Sequence, residues 1–262
     1  MKFVIALIAI IVLPMQAFGQ MTANEWGAAG LALLNQNKYN EALKALDKAI
    51  EIDPQYEKAW YFKGNALGDL GKYKESIQAY DKAIEIDPQF ASAWSDKAYA
   101  FLEQGKYDEA IKAYDKVIEL DPTSFTAWAN KGLALGKNGK YDEAIQALEK
   151  AIERDPQNAE TWYIKGNTFL VQGKYDEAIK ALDKVIELDP NHANAWFSKG
   201  FALGKKGKYD EAIQALEKAT EIKPQFAKAW YNKGVTLQYL NRNADAESAF
   251  AKAKELGYTG PT

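Results

Sequence analysis

Residues able to do chemistry are few in this 262-residue chain, and most of them recur at fixed intervals. Asp-Glu pairs stand at 108–109, 142–143, 176–177 and 210–211. Neighbouring carboxylates serve acid–base and glycosidic reactions. These pairs, however, open each successive helical pattern, where acids complement the positive end of a helix dipole. His192 is the single histidine and there is no cysteine. Thiolate metal sites, thiol nucleophiles, disulfides and paired-histidine metal motifs are therefore excluded. A lone histidine beside Asn191 and after Pro190 reads as a solvated loop residue. No GxGxxG, Walker or GxSxG motif occurs, and no Asp/Asn ladder with an intervening glycine offers a calcium loop. The residues assign no catalytic group, no cofactor and no metal, and the chain reads as a non-enzyme. What remains is recognition chemistry. Tyr61/Asn65 and Tyr163/Asn167 are i,i+4 pairs, side by side on one helix face. Tyrosine offers flat contact area at low entropy cost, and asparagine can pair with both the N–H and the C=O of a peptide.

The elements that position these residues follow from a strict period. Tryptophan occurs at 26, 60, 94, 128, 162, 196 and 230, and proline at 54, 88, 122, 156, 190 and 224; every interval is 34. Such a period marks a repeat array, here with units starting near 23, 57, 91, 125, 159, 193 and 227. Four residues after each Trp stands Gly or Ala (Gly64, Ala98, Gly132), and three further on a large apolar residue (Leu67, Phe101, Leu135). That spacing is one face of a helix. Gly-Lys-Tyr at 71–73, 105–107, 139–141, 173–175 and 207–209 breaks it, with glycine suited to a left-handed C-terminal position. A second helix spans Asp108 to Glu119, with Ala110, Ile111, Tyr114, Val117 and Ile118 on one face. Asp121-Pro122 stops it, because the residue before proline is pushed out of the α region. No window alternates with period two, so no strands are expected. Thr22 to Glu25 fits a capping box. The last unit is more polar, with Asn243 in the Tyr position and Lys254 in an apolar one, as a terminal repeat requires. Residues 94–157 and 162–225 share 46 of 64 positions, whereas 94–123 and 128–157 share 16 of 30. The array therefore reads as copies of a 68-residue, two-repeat block.

The pattern carried in the third unit by Trp94, Ala98, Phe101, Tyr107, Ala110, Tyr114, Val117 and Pro122 resembles the tetratricopeptide repeat family. The resemblance runs from residue 23 to about 257, seven times in register. It implies an all-α, right-handed superhelical solenoid of seven antiparallel helix pairs, with the first helix of each pair lining a concave groove. One helix pair cannot bury its own apolar stripe, so neighbours must stabilise it. The tryptophans read as core packing for that reason.

In the resemblance, groove residues fall one, five and nine after each Trp. These positions hold Tyr61, Tyr163, Phe197 and Tyr231 in the first series, Asn65, Tyr99, Asn167 and Phe201 in the second, and Asp69, Glu103, Lys137, Lys205 and Tyr239 in the third. The candidate site is Tyr61, Asn65, Tyr99, Tyr163, Asn167, Phe197, Phe201 and Tyr231, together with Lys228, and the expected occupant is an extended peptide or partner helix. Some family members hold a C-terminal carboxylate with Lys and Asn residues of adjacent repeats. Asn167 and Lys228 match two of those positions. Tyr163, Ser198 and Asn232 depart from the other three, so that clamp is incomplete. Lys58, Lys137, Lys205 and Lys228 set against Asp69, Asp96, Glu103 and Glu160 give a groove near neutral, which disfavours a strongly charged ligand. The net charge of -3 also disfavours nucleic acid.

The first residues differ from the rest. Met1-Lys2, an apolar run from Phe3 to Leu13, and Ala17-Phe18-Gly19 read as a secretory signal peptide over 1–19 with cleavage near Gly19. An uncleaved membrane anchor is the alternative, disfavoured because an eleven-residue helix reaches roughly 17 Å against a ~30 Å hydrocarbon core. The expectation is one repeat array over 20–262, exported to the periplasm, cell surface or medium. It would serve as a protein- or peptide-binding scaffold that does not span a membrane. The alternatives are a glycan-binding envelope protein and a self-associating structural protein.

Overall fold

The structure, a computed structural model, describes residues 21–258 and residue 260. The expected signal peptide lies outside the described residues. Fourteen helices and no strand occupy the described residues. They group into two compact units, the first ending at Thr123 and the second beginning at Ser124. The sequence period runs through this boundary unbroken, so the expectation of one array draws no line there.

The first unit holds three antiparallel pairs: α1 (Ala23–Leu34) with α2 (Tyr39–Ile52), α3 (Glu57–Asp69) with α4 (Tyr73–Ile86), and α5 (Ala91–Glu103) with α6 (Tyr107–Leu120). The second holds four: α7 (Phe125–Lys137) with α8 (Tyr141–Arg154), α9 (Ala159–Val171) with α10 (Tyr175–Leu188), α11 (Ala193–Lys205) with α12 (Tyr209–Ile222), and α13 (Ala227–Tyr239) with α14 (Asn243–Glu255). Within each unit, the second helix of a pair also packs on the first helix of the next. This is the neighbour-dependent burial that the repeat pattern demands.

Small residues set the closeness of the pairs. Ala110, Ala144, Ala178 and Ala212 are fully buried. At Gly200 a Cβ would stand 2.7 Å from Leu216 Cγ, so the leucine occupies the space that a side chain would need. Each first helix ends at a residue with positive φ: glycine at 71, 105, 139, 173 and 207, and asparagine at Asn37 and Asn241. Asparagine is the other residue that visits this region routinely. Thr22 Oγ1 accepts the Glu25 N–H at 3.3 Å while Glu25 Oε2 accepts the Thr22 N–H at 2.8 Å, which completes the expected capping box. In α14 only Ala246, Ala249 and Ala253 are buried, consistent with a terminal helix.

The Trp and Pro periods turn out to be one device. In five repeats the indole Nε1 donates to the carbonyl of the proline six residues earlier: Trp60 to Pro54 at 3.0 Å, Trp94 to Pro88 at 3.2 Å, and Trp162, Trp196 and Trp230 to Pro156, Pro190 and Pro224 at 3.0 Å. The tryptophans are half-buried and not wholly core. A lysine three residues on lies over the ring and reaches back to an acid of the preceding helix. Lys63 stands 5.3 Å from the Trp60 ring and 2.7 Å from Asp47, and Lys165 stands 5.6 Å from the Trp162 ring and 2.8 Å from Glu149. The indole thus ties the inter-repeat turn to the helix and shields a charge pair.

Candidate functional site

In the first unit, residues of α3, α4 and α5 enclose a recess of about 420 Å³. Asn65, Asp69, Tyr73, Tyr80, Asp96 and Tyr99 form its sides. Tyr61 donates from its hydroxyl to Asp96 Oδ2 at 2.8 Å, and its ring packs 4.8 Å from Phe90. Tyr80 donates to Asn65 Oδ1 at 2.9 Å. Tyr61 and Asn65, adjacent on one helix face, each engage another helix, Tyr61 through Asp96 and Asn65 through Tyr80, and Asn65 also acts on the Tyr61 phenol. Tyr99 stands 53% exposed at the rim.

Burial dominates the electrostatics here. It holds the Asp96 carboxyl above the usual carboxylate value, opposed by the Tyr61 hydrogen bond and reinforced by the Asp69 charge. It pushes the Tyr61 phenol up to about 12 and Tyr80 beyond the ordinary phenol range. Tyr99 is also raised, first by burial and then by the neighbouring Glu103 charge.

In the second unit, the corresponding recess between α11, α12 and α13 has a volume of about 270 Å³. Phe201, Lys205, Tyr209, Asn232, Val235 and Tyr239 line it. Tyr209 and Tyr239 stack with ring centroids 4.9 Å apart and an interplanar angle of 2°, and Lys205 lies 5.4 Å from the Phe201 ring. Tyr239 is 64% exposed. Elsewhere in this unit Asn167 Oδ1 accepts from Ser198 Oγ at 3.1 Å. Tyr163 packs 4.8 Å from His192, and Phe197 packs 4.8 Å from Phe226. Lys228 is exposed, and its carbonyl accepts from Asn232 Nδ2 at 2.8 Å. Tyr231 lies against Phe250 and Tyr258, with Gly260 packed on its ring, so the chain's own C-terminal segment covers this groove position.

Two readings of the sequence change. His192 is half-buried and no free loop residue: Nδ1 accepts the Ala195 N–H at 3.0 Å, which caps α11. The near-neutral charge sum conceals two opposite recesses, with Asp69 and Asp96 in one and Lys205 in the other. Sequence reasoning also missed Tyr73, Tyr80 and Tyr209. They come from second helices, and their spacing signalled helix starts and packing. Asp96 and Asn232, two residues after their Trp, lie outside the one-five-nine series but line the recesses.

The Asp-Glu pairs sit in the first turns of α6, α8, α10 and α12, as their spacing predicts. Asp142 accepts from Gln172 at 2.9 Å, which together with Lys174 holds its carboxyl below the ordinary value. Among the described residues no group of three or more His, Asp or Glu is arranged to hold a metal ion, and no helix is long and apolar enough to cross a membrane. A further hollow beside Trp196 carries Lys199, Glu217 and Lys218. Its lysines are engaged, Lys199 with Asp183 at 2.6 Å and Lys218 with Glu221 at 2.6 Å.

The tetratricopeptide repeat family model matches residues 28–89, 63–125, 95–159, 129–193, 163–225 and 197–261. No protein with a curated description matches the chain. Among solved structures, MamA is 31% identical over 61% of this chain and 94% of its own, with a TM-score of 0.58. YrrB, described as a TPR protein with an unusual peptide-binding site, is 26% identical over 73% of this chain and 98% of its own, with a TM-score of 0.61. The C-terminal part of a TPR repeat-containing protein from Cytophaga hutchinsonii covers 88% of this chain and 95% of its own with a TM-score of 0.75; at 18% identity it bears on fold alone.

Proposed function

We propose that this chain, which belongs to the tetratricopeptide repeat family, is a non-catalytic scaffold that binds a polypeptide along its first-helix face outside the cytoplasm. One observation carries the binding reading. Within each unit the repeat frame leaves a recess at the junction of successive repeats, and its lining varies while the frame stays fixed. Gly68 and Tyr73 of the first recess correspond to Gly204 and Tyr209 of the second, whereas Asp69, Asp96 and Tyr99 correspond to Lys205, Asn232 and Val235. Packing requires the shared residues, and the varied ones are free to specify a ligand. Pockets that bind ligands join apolar walls to a few placed polar groups, as these do. The likeness to YrrB, whose structure is described by its peptide-binding site, supports the same class of partner. The location rests on the sequence of Met1 to Gly19.

Capture by chemical crosslinking from the extracytoplasmic fraction tests this. Wild-type protein should recover a discrete polypeptide set that a Tyr99→Ser/Tyr239→Ser variant loses, since both rings are more than half exposed. An identical set with the variant would refute the recess reading. Stabilisation by soluble oligosaccharide in place of polypeptide capture would favour glycan binding. A mature N-terminus at Met1 would refute export by signal cleavage.

A further inference from the structure

The first-unit recess combines three tyrosine rings, Tyr73, Tyr80 and Tyr99, with the Asp69 and Asp96 carboxylates. The two acids are close enough for the Asp69 charge to act on Asp96. Among the described residues neither is joined to a lysine or arginine. Lys63 of α3 and Lys97 of α5 are committed elsewhere, Lys63 to Asp47 at 2.7 Å and Lys97 to Asp81 at 2.5 Å. This contrasts with the rest of the surface, where a lysine–acid pair recurs on each second helix of the unit, as Lys48–Glu51, Lys82–Glu85 and Lys116–Glu119 show. The fold does not need these acids. The second unit closes the same recess with Lys205 in the place of Asp69 and Asn232 in the place of Asp96. A partly buried carboxylate without a counter-charge is costly unless something pairs with it.

We propose that this recess receives one basic side chain, arginine or lysine, of the bound polypeptide. The inference rests on the scaffold reading above and adds the ligand's chemistry. The cation sits between the Asp69 and Asp96 carboxylates and lies against the exposed Tyr99 ring, where ring and charge attract. A recess of about 420 Å³ is large enough for such a group. Tyr61 holds Asp96 Oδ2 at 2.8 Å and so fixes the carboxylate before the ligand arrives. The second-unit recess, with Lys205, would not accept the same side chain.

The test is selection of a displayed library of random linear dodecapeptides on the full chain. Enriched peptides should share an Arg or Lys. Their affinity should fall about tenfold or more when that residue becomes norleucine, and equally with an Asp69→Asn/Asp96→Asn protein, as expected for a desolvated charge pair. Asp69→Lys alone, at an exposed position and with the residue the second recess already carries, gives the same loss without disturbing the buried acid. Enriched peptides that lack a basic residue, or basic ones that bind all three proteins equally, would overturn this inference and leave the scaffold reading intact. No enrichment of any peptide would overturn both.

Discussion

Tyr61 donates a hydrogen bond of 2.8 Å to Asp96, joining the first helix of the second repeat to that of the third. The bond occupies one carboxylate oxygen and leaves the charge without a cationic partner. Asp96 therefore stands as a destabilising group held in place, which is what a preorganised recognition residue looks like.

Replacing Asp96 with Asn should raise stability at neutral pH. Burial lifts the carboxyl above its ordinary value of 3.8. The folded state then binds the proton more tightly than the unfolded state, and the stability linked to it is lost as pH rises through the folded value. Thermal melts from acid to neutral pH should show the variant above wild type at pH 7, with the gap closing below 3.8. A variant less stable than wild type at pH 7 would contradict the assignment.

Tyr61 is raised to about 12, chiefly by burial. Its proton is held more tightly in the folded chain, so the linked stability is present below the ordinary phenol value of 10.0 and lost as pH rises through about 12. Ultraviolet difference titration should show a late phenolate step that Tyr61→Phe removes.

The two buried tyrosines of the first unit should respond oppositely to loss of their hydroxyls. Tyr114 is 1% exposed and its hydroxyl has no hydrogen-bond partner among the described residues. Tyr99 stands five residues after Trp94, where Asn65 serves Tyr80 in the preceding repeat. Tyr114→Phe should be neutral or stabilising, whereas Tyr80→Phe should cost about 1–2 kcal/mol by leaving Asn65 short of a donor. Urea titrations of the two variants decide it, and a larger loss for Tyr114→Phe would contradict the account.

Gly200→Ala forces a methyl to within 2.7 Å of Leu216 Cγ. Overpacking of this kind costs about 1–3 kcal/mol. Gly207 has open space but a φ of 74°. Alanine there should cost about 1–2 kcal/mol through the left-handed backbone alone. Calorimetry on both would separate steric from conformational cost.

The fold was legible because each repeat writes the same constraint again. The Trp, Gly and Pro spacings fixed helices, breaks and stops, and the Thr22–Glu25 cap appeared as read. What the spacing hid was linkage. Trp196 and Pro190 looked like separate periodic signals, yet one hydrogen bond joins them. The candidate site was legible only in part. Asn65, Tyr99 and Phe201 line the recesses, while Tyr231 lies under the C-terminal segment and Tyr163 packs on His192. Tyr73 and Tyr80 escaped notice because a one-helix register does not reveal which side chains of the adjoining helices converge on it, and Asp96 entered only as one charge in a sum. Summed charges likewise erased a separation that exists only once Asp69 and Lys205 are placed in different recesses.

The central claim is that ligand polypeptide lies on the first-helix face. A photo-crosslinking amino acid placed at Tyr99, in cells that naturally make the protein, tests it most directly, with the same probe at Glu119 on α6 as control. The account predicts a discrete crosslinked polypeptide from Tyr99 that Asp69→Lys abolishes, and none from Glu119. Equal capture at both positions, or capture at Glu119 alone, would contradict it.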